Sequence, residues 1–189
     1  MNYQERPCES QPGDIINSIK RYECAAMICK GKRVLDFSCG YGYGTNVFHK
    51  AGIDVVGVER DAPVIEEARK KFPRCKFMVA EAFAIDLTQF DIIVSMEVIE
   101  HLEFEDRDAT LKLFSSKVKE IIMSTPNGDM FPYRPKEKKD RIGFHVCHYA
   151  YLELDDIFRK FYSNVAILGQ AFDPRIGKYT GHLVYAANT

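Results

Sequence analysis

Lys32-Arg33-Val34-Leu35-Asp36-Phe37-Ser38-Cys39-Gly40-Tyr41-Gly42-Tyr43-Gly44-Thr45 reads as a buried strand, a glycine-punctuated turn and the start of a helix. Val34, Leu35 and Phe37 supply the strand, and Asp36 stands at its carboxyl end. Gly40, Gly42 and Gly44 remove side chains where the backbone turns sharply or a ligand approaches closely. The helix that follows leaves unpaired N–H groups and a partial positive charge at the turn. A strand, a glycine turn and a helix in this order form a nucleotide-type crevice at the carboxyl edge of a parallel sheet. Glycine turns also occur without ligands, so the reading depends on what flanks this one.

Before it, Ile15 to Cys29 carries apolar residues at helical spacing, with Asp14 as the expected N-cap and Gly31 as a stop signal. After it, helices are expected over Thr45–Ala51, Ala62–Phe72 (Asp61 as cap), Asp106–Val118 and Tyr151–Phe161. Strands are expected at Asp54–Glu59, Lys76–Ala80, Phe90–Met96 and Glu120–Thr125. Asp54–Glu59 is apolar on both faces, as a central parallel strand covered by helices must be. Asn164–Leu168 and Leu183–Ala187 are the last strands, with Gly169 to Gly181 read as their connection. The alternation predicts an α/β fold: a Rossmann-like, doubly wound, mostly parallel seven-stranded sheet with an antiparallel edge strand. One domain over residues 1–189 is expected, with an N-terminal helix or lid in 1–30 and an irregular insert on the substrate side at 129–148.

Composition narrows the class. Apolar content of 46%, charged content of 28% and a formal net charge of -1 are ordinary for a globular chain and give no global basic field. The first thirteen residues are polar and resemble neither a signal peptide nor a membrane anchor. No run approaches the ~18 apolar residues of a spanning helix. Six cysteines are scattered without a C-x-x-C pair, which predicts reduced, mostly buried thiols and a cytoplasmic setting.

Glu59 ends the second strand roughly 20 residues past the glycine turn, where a carboxylate accepts bonds from both hydroxyls of a ribose lacking a 2′-phosphate. The glycine spacing is G-x-G-x-G rather than the dinucleotide G-x-G-x-x-G. With Val56-Gly57-Val58-Glu59, Phe90-Asp91-Ile92-Ile93-Val94-Ser95-Met96-Glu97-Val98-Ile99-Glu100-His101-Leu102 and Ser124-Thr125-Pro126-Asn127 following in order, the chain resembles the class I S-adenosylmethionine-dependent methyltransferases. Two departures stand out. Ser38 takes the place of the family's first loop glycine, and the usual Pro-Gly-Gly turn before strand five is replaced by Ser115-Ser116-Lys117.

The resemblance implies S-adenosyl-L-methionine as cofactor and assigns its contacts. Asp36, Ser38, Gly40, Tyr41 and Gly42 would hold the methionine moiety. Glu59 would hold the ribose, and Arg60, Glu81 and Ala82 would frame the adenine. Ser95 and Met96 would line the methyl-donor side, and Arg21 and Tyr22 would either close over the ligand or serve only as a solvated charge and a helix-packing residue.

The chemistry needs an acceptor held in line and, for an oxygen acceptor, a group that takes its proton. His101 and His145 are the candidate catalytic residues, because imidazole titrates near neutrality. Packing is the competing role for His101, His145 and His148. Glu97-x-x-Glu100-His101 with His145 offers two carboxylates and two imidazoles to a divalent metal. That pattern resembles the ubiquinone-biosynthesis methyltransferases and the small-RNA 3′-end 2′-O-methyltransferases, and a Glu-His pair also occurs in the superfamily without metal. His145-Val146-Cys147-His148 lacks the second ligand pair of a zinc site. Arg134 to Arg141 holds five basic residues, read either as a phosphate-steering strip or as a solvated lid. The expected partner is a small, polar acceptor, phosphate- or sugar-bearing. RNA 2′-O-methylation and a non-catalytic cofactor-binding module are the alternatives, and no membrane partner is expected.

Overall fold

A computed structural model describes residues 12–141, 144–173 and 178–189. The chain falls into two compact units, Met1–Met96 and Glu97–Thr189. Together their strands make up a seven-stranded mixed sheet of the Rossmann-like class.

In the first unit, β1 (Arg33–Phe37), β2 (Asp54–Glu59), β3 (Lys76–Val79) and β4 (Ile92–Met96) run parallel in the order β3-β2-β1-β4. β1 pairs with β2 on one side and β4 on the other, so the chain reverses its direction of travel across the sheet beside β1. That reversal is where ligands bind in open α/β sheets. Val55, Val56 and Val58 of β2 are all buried, matching the two-faced apolar run. β3, at the edge, leaves Met78 and Val79 exposed.

The helices of this unit are α1 (Pro12–Cys29), α2 (Tyr43–Lys50) and α3 (Ala62–Lys71). Asp14 lies inside α1, so it does not cap that helix; the apolar spacing began after the helical backbone did. α2 starts two residues earlier than expected, because Gly42 adopts φ 78° and serves as its N-cap. A side chain at Gly42 would meet the Phe77 ring at 2.5 Å, so both its backbone angle and its surroundings require glycine.

In the second unit, α4 (Phe104–Lys117) precedes β5 (Glu120–Pro126), and α5 (Tyr151–Arg159) precedes β6 (Asn164–Asp173) and β7 (Lys178–Ala187). The strand order is β5-β7-β6, with both pairings antiparallel. The final hairpin therefore supplies the antiparallel edge. Its strands are longer than expected: Gly169 and Gly181, read as part of a connection, are paired inside the ladders. Gly169 works in the strand because the Tyr179 ring fills the space its side chain would occupy. Leu154, Ile157 and Phe158 of α5 and Leu111 and Phe114 of α4 are buried, as are Ile121, Ile122, Met123 and Val184 of the sheet. The amide of Tyr151 donates to Asp129 Oδ2 at 2.7 Å and that of Ala150 to Glu153 Oε2 at 3.0 Å, closing the start of α5.

Among the described residues no helix is long and apolar enough to cross a membrane. Cys24, Cys29, Cys39, Cys75 and Cys147 are free thiols, and Cys8 lies outside the described residues.

Candidate functional site: a glycine-turn crevice and a histidine cluster

The crevice residues belong to the first unit and follow the carboxyl ends of its four strands. Asp36 is fully buried at the end of β1. Its Oδ1 accepts the Tyr22 hydroxyl at 2.8 Å and its Oδ2 accepts the Thr45 hydroxyl at 2.5 Å. Burial pushes the Asp36 carboxyl up to about 6, against the two donors, which favour its charge. Burial and the neighbouring Asp36 likewise push the Tyr22 phenol well up. Tyr22 is itself buried, edge-on to Phe48 at 5.3 Å, and its ring lies where a Gly44 side chain would stand. It braces the turn through this packing and its bond to Asp36. Arg21 is half-buried.

Ser38 and Glu97 are the non-glycine residues with positive φ among those described, at 59° and 56°. Ser38 stands where the resembling family has glycine, and its left-handed backbone is the physical reason for that preference. Gly40 (φ 53°) and Gly42 are buried and Tyr41 is half-buried. The Gly42 amide closes the turn onto the Cys39 carbonyl at 3.0 Å.

Glu59 is buried at the end of β2. Its Oε1 accepts the backbone amides of Arg60 (2.9 Å) and Asp61 (3.2 Å), which fixes the carboxylate's direction at the strand end. Arg60 and Glu81 are exposed at the rim, and Ala82 opens a 3₁₀ turn (Ala82–Ala84) whose first side chain lies outside the description. At the end of β4, Met96 and Ser95 are buried, and Ser95 Oγ has no hydrogen-bond partner among the described residues. A buried hydroxyl without a partner is costly unless something else supplies one. This orphan hydroxyl, a fixed carboxylate and a turn with glycine at positions 40 and 42 fit a polar ligand that carries both an amino-acid part and a sugar diol.

The second cluster lies within the second unit. A 3₁₀ turn (Ile99–His101) places Glu100 and His101 side by side, and the Val146 amide donates to the Glu100 carbonyl at 2.6 Å, drawing in the irregular segment that bears His145. Glu100, His101 and His145 each offer a ligand atom, and these atoms lie within 4.8 Å of one another. His101 Nε2 stands 4.0 Å from Glu100 Oε1, too long for a hydrogen bond and wider than the ~2.8–3.6 Å between adjacent donors on one cation with bonds of ~2.0–2.2 Å, so the side chains would draw together around an ion. One buried carboxylate with two imidazoles suits a divalent transition metal, so this donor set fits. The His101 and His145 rings meet edge-on at 4.7 Å. Glu97 is not part of the cluster: its Oε1 accepts the Ser124 hydroxyl at 2.7 Å, and its own amide donates to the Ser124 carbonyl at 3.0 Å. Cys147 is buried and also outside it.

The basic insert is tied to acids of its own unit. Arg141 grips Glu103 with two bonds (2.8 and 3.0 Å), Lys138 reaches the same carboxylate at 3.1 Å, and Arg134 pairs with Glu153 at 2.6 Å. Hydrogen bonds from Arg141 and Lys138 hold the Glu103 carboxyl down to about 2. Sequence reading missed Thr45 and Glu103, whose partners are 9 and 38 residues away. A hydroxyl at a helix start and an acid before one carried no signal of those contacts.

Residues 34–120 match the family model of the methyltransferase domain. The chain is 31% identical over 111 residues to a probable S-adenosylmethionine-dependent methyltransferase, MT3114, of Mycobacterium tuberculosis (strain CDC 1551 / Oshkosh), covering 56% of this chain and 40% of that protein. It is 35% identical over 113 residues to a ubiquinone biosynthesis O-methyltransferase of Chelativorans sp. (strain BNC1), covering 57% and 42%. The match thus spans about two fifths of the length of these curated relatives. Among solved structures, the PH0226 protein of Pyrococcus horikoshii OT3 superposes with a TM-score of 0.74 at 16% identity, over 99% of this chain and 98% of that one.

Proposed function

We propose that this chain is a class I S-adenosylmethionine-dependent methyltransferase, a reading supported by the match over residues 34–120, and that it methylates a hydroxyl oxygen of a small polar acceptor presenting two neighbouring oxygens. S-adenosylmethionine supplies, when bound, a methyl group on a sulfonium sulfur already activated for in-line displacement. The turn from Ser38 to Gly42, above Asp36, holds its amino-acid end. Glu59 accepts the ribose hydroxyls, while Arg60, Glu81 and Ala82 frame the base. Ser95 and Met96 face the reacting end, where the Ser95 hydroxyl gains the partner it lacks among the described residues.

Glu100, His101 and His145 would hold a divalent cation. A cation there would lower the pKa of an acceptor hydroxyl and fix both acceptor oxygens. The acceptor oxygen passes its proton to solvent water and gains the methyl, and the donor sulfur leaves as a neutral thioether. The convergence of Glu100, His101 and His145 within 4.8 Å is the observation that carries this reading. The ion pairing of Arg134, Lys138 and Arg141 supports a small acceptor over a nucleic acid, because those cations already face carboxylates.

The test is methyl transfer from labelled S-adenosylmethionine to a panel of catechols, sugars and an RNA oligonucleotide, with Mn²⁺ and with chelator. The expected result is a methylated diol or catechol, formed with Mn²⁺ and lost with chelator or in Glu100→Ala. Full activity in chelator would overturn the metal assignment, and a product confined to RNA would overturn the acceptor class.

A further inference from the structure

His148 is not among the three clustered donors, yet its ring sits directly behind one of them. His148 Nδ1 lies 2.8 Å from the Phe131 carbonyl oxygen, and His148 Nε2 lies 2.7 Å from His145 Nδ1. The backbone holds it in place: the His148 amide donates to the Tyr133 carbonyl at 2.9 Å, and the Tyr133 ring lies 5.2 Å from the His148 ring. Segment 131–133 therefore anchors both the main chain and the side chain of His148.

Proton positions follow from the ends of this row. A carbonyl oxygen only accepts, so His148 Nδ1 carries the hydrogen. In a ring that carries this one hydrogen the lone pair is on Nε2, which accepts from His145. His145 must donate through Nδ1–H, and its own lone pair resides on Nε2. In water an isolated histidine prefers the opposite tautomer, with the proton on Nε2, which cannot bind a metal through that atom. The row Phe131 carbonyl, His148, His145 removes that preference.

We propose that His148 is a positioning residue that holds His145 in the Nδ1–H tautomer and so presents Nε2 to the cluster with Glu100 and His101. The ligand role of Nε2 rests on the metal reading above; the tautomer itself does not. Groups that orient a ligating histidine through its second nitrogen typically change metal affinity by roughly 10–100-fold when removed. His148 has the matching geometry, its Nε2 standing 2.7 Å from His145 Nδ1.

The test uses the full chain in two arms. Metal-free protein labelled with ¹⁵N is examined by long-range ¹H–¹⁵N correlation, which distinguishes the two tautomers. Wild type should show His145 protonated at Nδ1, and His148→Leu should shift it to Nε2. His148→Gln, whose amide oxygen accepts from His145 while its nitrogen donates to Phe131, should restore Nδ1. Calorimetric titration with Mn²⁺ should then show affinity at least tenfold weaker in His148→Leu and near wild type in His148→Gln. Thermal unfolding in chelator checks that the variants fold. Wild-type His145 protonated at Nε2, or a His148→Leu variant that keeps both tautomer and affinity, would overturn the proposal. Wild type that shows the Nδ1–H tautomer but binds no Mn²⁺ would overturn the metal reading and sustain the role of His148.

Discussion

The hydroxyl of Tyr22 donates to Asp36 Oδ1 at 2.8 Å while its ring occupies the space above Gly44. α1 is thereby bonded to the end of β1 and packed against the turn that follows it. Tyr22→Phe keeps the ring and deletes the bond. It should destabilise the protein by about 1–3 kcal/mol, as loss of a buried hydrogen bond to a carboxyl group does. Urea denaturation reads this directly, and an unchanged midpoint would mean that the bond contributes nothing.

Asp36 makes stability depend on pH in an unusual direction. Its carboxyl is raised to about 6 in the folded protein, above the 3.8 of a free side chain. A group raised in this way contributes stability that is present below pH ~4 and lost as pH rises through ~6. The contribution is on the order of 3 kcal/mol, since each pKa unit corresponds to about 1.4 kcal/mol. Denaturant midpoints of cofactor-free protein should fall between pH 4 and pH 7, and Asp36→Asn should flatten that slope.

Ser38 holds a left-handed backbone that glycine adopts at little steric cost. Ser38→Gly should raise stability by roughly 0.5–1 kcal/mol, the relief of strain being partly offset by a more flexible unfolded chain. It should leave S-adenosylhomocysteine affinity intact. A lower melting temperature would show that the serine side chain compensates for its own strain.

Glu103 anchors the insert to the start of α4 through Arg141 and Lys138. Its carboxyl is held down to about 2, so the anchoring is present above pH ~4.5 and is lost as pH falls toward 2. Limited proteolysis between Pro135 and Arg141 should accelerate in Glu103→Gln at neutral pH. Equal rates in parent and variant would show that the ion pairs do not restrain the segment.

Much of the fold was legible because the decisive signals are local. The two-faced apolar run of β2, the glycine turn and Glu59 each declare themselves within a few residues, and the parallel order follows from their alternation with helices. Glu100 and His101 were legible for the same reason, being neighbours on one short turn. The edge hairpin was read too short because Gly169 and Gly181 look like chain breaks until the Tyr179 ring is placed over one of them. The bond of Tyr22 to Asp36 joins residues 14 apart on two elements, and the Arg141–Glu103 pair spans 38. Pairings of that kind arise from tertiary packing, which sequence spacing does not encode. Glu97 shows the converse: its spacing to Glu100 suggested a shared metal, but its Oε1 accepts from Ser124 and it is not among the three clustered donors.

The most direct test of the crevice is calorimetric titration of S-adenosylhomocysteine into wild-type protein and Glu59→Ala, with Glu59→Gln as a check on folding. A carboxylate that clasps the ribose diol predicts saturable one-to-one binding by wild type. It also predicts at least a tenfold loss in Glu59→Ala, the equivalent of about 1.5–3 kcal/mol for hydrogen bonds to a charged group. No heat of binding with wild type, or equal affinity in the two proteins, would contradict it.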